Sequence, residues 1–122
     1  TVSAANILTT GTIGYAAGAY GAVTQQNNKT TAVTVNASSG QIITANSQLA
    51  PSANALFKVN NSSVSSKDVV IVSPATGGTN GAYNVFISSI DDGFFYVEIK
   101  NATNNAYSES IRLNFAVLHT VT

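Results

Sequence analysis

Residues 82–100, AYNVFISSIDDGFFYVEIK, restrict the fold more than any other stretch of the chain. Tyr83, Val85 and Ile87 alternate with polar or outward positions before Asp91-Asp92-Gly93, and Phe95, Val97 and Ile99 alternate after it. A period of two belongs to a half-buried strand, so the two runs read as a hairpin. A two-residue Asp92-Gly93 loop sets Ile87 opposite Glu98 and Val85 opposite Lys100. A three-residue Asp91-Asp92-Gly93 loop sets Ile87 opposite Val97 and Val85 opposite Ile99. A slip of one residue turns every side chain to the wrong face. The three-residue loop is therefore expected, with Gly93 in the left-handed position.

Other strand signals run through 31–122. TTAVTVN puts Val33 and Val35 on one face, SSG at 38–40 is a turn and QIIT a short strand. ALFKVN aligns Ala55, Phe57 and Val59, and the unbroken run Val69 to Val72 suits a strand buried on both faces. SESIRLNFAVLHTV aligns Ile111, Leu113, Phe115 and Val117 against Arg112, Asn114 and Ala116. Serine, threonine and asparagine make up about a third of the 122 residues. These side chains bond to nearby backbone, favouring turns over helix interiors. The expectation is an all-β chain: a β-sandwich or jelly-roll-like body of about seven or eight strands over residues 31–122.

Residues 1–30 read differently. GTIGYAAGAYGAVTQ places Gly11, Gly14, Gly18 and Gly21 at helical spacing, but glycine costs about 1 kcal/mol per helical position relative to alanine. The stretch reads instead as a glycine-rich, extended N-terminal arm whose backbone bends sharply or lies close against another surface. Tyr15 and Tyr20 have two uses open to them: packing the arm on the chain's own sheet, or anchoring it on a partner or neighbouring copy. The second is preferred, which makes Gly11, Gly14, Tyr15, Gly18, Tyr20 and Gly21 the candidate docking residues.

Chemistry is scarce. Charged residues are 8% of the chain, five basic and five acidic, against a usual figure of about 25%. The balance leaves no footprint for nucleic acid or an anionic membrane, and no apolar run approaches a membrane span. Cysteine is absent, which excludes disulfides and thiolate metal sites. His119, the one histidine, falls near the end of the last strand and reads as a structural, partly buried side chain. Asp91-Asp92 reads as a turn that caps backbone amides rather than a calcium site. Asp68, Asp91, Asp92, Glu98 and Glu109 show no placement favouring a glycosidase pair. Serine lacks a G-x-S-x-G elbow and has only His119 as a base; Gly77-Gly78-Thr79 lacks the lysine of a phosphate loop. No enzyme activity, cofactor or metal is expected.

GYAAGAYGAVTQ, NKTTAVTVN, SSGQI, a central SxxxSxDVVIV, GGTNGAYNV, IKNAT and SESIRLNFAVLH follow one another in an order that resembles small virion proteins of marine and cyanobacterial tailed phages. The resemblance covers the chain from about Gly11 onward. It departs at Tyr20, where glycine is common, and in the more aromatic hairpin. It implies a non-enzymatic structural protein, and among such roles a capsid decoration or cement protein on the virion exterior. Its partners would be the major capsid protein and itself, as a homotrimer, with the arm reaching neighbouring subunits. The alternative is a tail-fibre or receptor-binding β-sandwich that recognises host glycans; absence of tryptophan and of a stem repeat weighs against it. A secreted adhesin domain ranks third.

Overall fold

The structure, a computed structural model, describes residues 2–120. It is all-β, with ten strands: β1 (Tyr20–Thr24), β2 (Val33–Thr34), β3 (Ser39–Ile43), β4 (Gln48–Leu49), β5 (Asn54–Asn60), β6 (Val69–Pro74), β7 (Tyr83–Asp91), β8 (Phe94–Asn101), β9 (Tyr107–Ser108) and β10 (Arg112–Leu118). Two four-stranded sheets, β1-β3-β10-β6 and β2-β5-β8-β7, form a sandwich, and β4 pairs with β9. β1 lies parallel to β3 and β2 parallel to β5; the remaining pairs are antiparallel.

The alternations place the core. Ile42, Leu113, Phe115 and Val117 of the first sheet face Phe57, Val59, Phe95, Val97 and Ile99 of the second, all buried. Phe95 and Phe115 bridge the layers with ring centroids 6.0 Å apart. Each large side chain so buried stabilises by about 2 kcal/mol. The asparagines serve loops: buried Asn61 donates to the Ala37 carbonyl, and buried Asn101 to those of Leu49 and Asn105.

The hairpin register is the expected one, Ile87 opposite Val97 and Val85 opposite Ile99, but the turn is not. Asp91 pairs with Phe94, leaving a two-residue Asp92-Gly93 turn with Gly93 at φ +82°. A bulge at Ser88, between the Ile87 and Ser89 pairings, restores the alignment. The extra residue turns both Ile87 and Ile90 toward the core, which unbroken alternation would forbid. Asp91 and Asp92 both cap amides: Asp92 N–H donates to Asp91 Oδ1 and Ser66 N–H to Asp92 Oδ1.

Two more expectations change. The run Val69 to Val72 is covered on one face only: Val70 is buried, while Val69 and Ile71 are exposed. The second layer covers only the inner face of β6, an edge strand of its sheet. The arm expected over 1–30 also ends earlier. Residues 2–16 form no helix or strand, Ala17–Ala19 make a 3-10 turn, and the chain then enters the sandwich as β1. Gln25 and Lys29 are buried. Thr1 and residues 121–122, the outer ends of the two expected regions, lie outside the described residues.

Candidate docking face

The outer face of the first sheet changes character along its strands. At one end Gln41 donates to Asn114 Oδ1 (3.0 Å) and Arg112 donates to Gln41 Oε1 (3.3 Å). Toward the other end the pairings set Tyr20 beside Ser39, Ser39 beside Ala116 and Ala116 beside Ile71. Leu118 and Val69 follow, paired and exposed. Side chains with apolar bodies thus collect where β10 ends and β6 begins.

Part of the N-terminal segment lies across that end. Tyr15 donates its hydroxyl hydrogen bond to the Val117 carbonyl, and its ring meets the edge of His119 at 6.4 Å between centroids. Ile13, Gly14 and Tyr15 face Ile71, Ala116, Val117 and Leu118 across an open groove of about 570 Å³. For Tyr15, then, the structure forms the intramolecular contact of the two foreseen. Tyr20 stands exposed on β1.

The four glycines divide. A Cβ at Gly21 would come 2.9 Å from Val35 Cγ2, and one at Gly40 would come 1.9 Å from the Gly21 carbonyl oxygen. Gly21 is therefore a packing residue of the sandwich rather than of an arm. At Gly11, Gly14 and Gly18 an added Cβ meets nothing within 4 Å, and none of the three has a positive φ. Beyond Tyr15 the segment holds few contacts of its own. Val2, Ile7, Leu8 and Ile13 are 74%, 66%, 91% and 78% exposed.

His119 closes the same end of the molecule. Its side chain is one-third exposed, with Nδ1 3.0 Å from Asp68 Oδ2 and Nε2 3.1 Å from Ser38 Oγ. The Ser65 N–H at 2.9 Å, assisted by His119 and opposed by desolvation, holds the Asp68 carboxyl below its ordinary range. Asp68 Oδ1 is buried and has no hydrogen-bond partner among the described residues. Local sequence carries no sign of this grouping, since Ser38, Asp68 and His119 come from separate loops and strand ends.

A second polar cluster is saturated. Buried Lys29 donates to the carbonyls of Ala45 (2.8 Å), Ser47 (2.5 Å) and Glu109 (2.8 Å). Desolvation lowers its pKa against the opposing charge of Glu109. Desolvation pushes the Glu109 carboxyl up, but hydrogen bonds from the Tyr83 hydroxyl and from Thr79 outweigh it, and the net direction is down. Burial, then Glu109, raises the Tyr83 hydroxyl. With every donor engaged, this cluster ties loops together.

Among the described residues, no group of three or more His, Cys, Asp or Glu side chains is placed to hold a metal ion, and no helix is long and apolar enough to cross a membrane. No family model, curated protein or solved structure matches the chain.

Proposed function

We propose that the protein decorates the outside of a tailed-phage capsid, binding the major capsid protein as a homotrimer and bridging neighbouring subunits with residues 2–16. The carrying observation is the N-terminal segment itself. It exposes Val2, Ile7, Leu8 and Ile13 and keeps two glycines, Gly11 and Gly14, whose smallness has no use inside the chain, as is true of Gly18 in the turn that follows. Ordered apolar side chains without a core of their own need a surface to cover them. Fully extended, residues 2–16 reach roughly 50 Å, enough to cross a subunit joint. Many weak contacts over a repeating lattice add up to firm attachment, and that role requires no turnover.

Removing residues 1–16, ahead of the 3-10 turn and β1, tests the role. The shortened protein folds, melting at most about 5 °C lower for want of the Tyr15 contacts, but no longer loads onto capsids; full loading would overturn the proposal. In purified virions the copy number should match the capsid protein stoichiometrically, not the few copies of a tail part.

The outer face of the second sheet favours the glycan-binding fibre module as a second reading. Phe94 and Tyr96 stand edge to face at 6.0 Å, with Lys58 Nζ 4.3 Å over the Phe94 ring and exposed Phe86 and Leu56 on the same face. Specific binding on a glycan array, lost in Tyr96→Ala, would move the function there.

A further inference from the structure

Ser38, His119 and Asp68 are joined in the order nucleophile, base, orienter. The hydrogen positions follow from the bonding. An ionised Asp68 carboxylate can only accept, so the 3.0 Å contact places the proton on His119 Nδ1. In the neutral ring Nε2 is then an acceptor, and the 3.1 Å contact makes Ser38 Oγ–H its donor. The serine proton thus points at a base whose tautomer is fixed from behind.

Two features go beyond a structural tie. Asp68 is almost fully buried, with a side chain 1% exposed, yet its Oδ1 is unpaired among the described residues. An unmet buried carboxylate oxygen is costly and so asks for a reason. The Asp68 charge, 3.0 Å from Nδ1, favours the imidazolium that forms when His119 takes a proton. The apolar groove lies beside this site, joined to it through two of its lining residues. Tyr15, against His119, and Val117, whose N–H donates to the Ser38 carbonyl at 2.7 Å, both line it.

We propose that Ser38 is an activated nucleophile, with His119 as its base and Asp68 as a positioning residue, that accepts acyl groups from esters whose apolar chains occupy the groove. Ser38 Oγ bonds to the ester carbonyl carbon as its proton passes to His119 Nε2. The C–O bond to the alcohol breaks, and the departing oxygen takes that proton. Water, deprotonated by the same nitrogen, then attacks the acyl carbon; its bond to Ser38 Oγ breaks, Oγ takes the proton back from Nε2, and the carboxylic acid leaves. This site is independent of the capsid-docking reading and stands or falls separately.

The full-length protein is treated with a fluorophosphonate probe and, in parallel, with p-nitrophenyl butyrate, whose leaving group demands little of the site. One phosphonyl group is expected per chain, mapped to Ser38 by peptide mass, together with hydrolysis above the buffer rate. Ser38→Ala and His119→Gln abolish labelling and lower hydrolysis by at least about a hundredfold. Asp68→Asn, which no longer enforces the tautomer, lowers kcat and leaves KM unchanged, whereas Leu118→Ala raises KM. Thermal melts establish that each variant is folded; where Asp68→Asn is not, Ser38→Ala, exposed at its oxygen, decides. Absence of labelling in the folded full-length protein, or equal labelling of Ser38→Ala, overturns the proposal.

Discussion

An added methyl group at Gly40 would fall 1.9 Å from the Gly21 carbonyl oxygen and 2.9 Å from Phe115 Cε1, whereas at Gly11, Gly14 or Gly18 it would touch nothing within 4 Å. The same residue type therefore answers to different demands in the body and in the N-terminal segment. In the body, glycine lets β1 and β3 lie together over the Phe115 ring. In the segment it meets no crowding and no left-handed backbone, so its smallness serves contacts outside the chain or none. Stability and attachment should accordingly be separable by mutation.

Gly40→Ala should bring the largest loss of stability, about 3 kcal/mol or on the order of 10 °C in Tm, because backbone rather than a flexible side chain must move. A smaller effect would mean that β1 is held loosely and that the segment extends further into the body. Lys29→Met should cost about 2 kcal/mol in a denaturant titration, since three buried carbonyls lose their donor. This would place residue 29 with the body by energy as well as by geometry. Tyr15→Phe should cost about 1 kcal/mol or less. Its clearer sign is faster proteolysis within residues 2–16, because the bond to the Val117 carbonyl is the segment's tether.

Acid should act on the body through Asp68. Its folded pKa lies below the unfolded value, so its contribution is complete at neutral pH. Below about pH 4 the unfolded chain binds the proton more readily, and that stability is lost as the pH falls through the folded pKa. Melting curves of Asp68→Asn should lack this part of the acid sensitivity. At the small end, replacing Gly11, Gly14 and Gly18 together by alanine should change Tm by no more than about 2 °C while reducing capsid loading. Unchanged loading would remove the glycines from the docking role.

The hairpin shows how far sequence reaches. Apolar parity identified Ile87 opposite Val97, because only that register buries both. It missed the means, since a short turn plus a bulge at Ser88 gives the same facing residues as a longer turn. The signal lay in Ile90, whose odd spacing from Ile87 admits two inward residues only across a bulge. β1 was hidden because its inward positions are Gly21 and Val23, too small a pattern to stand out among the glycines. Val69 to Val72 misled because apolar residues on a bare outer face look, in sequence, like those of a central strand. Ser38 and Asp68 lie 81 and 51 residues from His119, beyond any local pattern.

The order of the first sheet has a consequence for how the molecule comes into being. One of its two interior strands, β10, which hydrogen-bonds to both β3 and β6, is the last of the ten described strands. On a ribosome, β1 and β3 can pair with each other, but β6 has no strand of this sheet to join until β10 has left the exit tunnel. The second sheet can pair β5, β7 and β8 earlier, but its inner face waits for the other layer. Folding is thus timed by the emergence of β10, and a nascent chain stalled before residue 111 should remain open to proteases and chaperones.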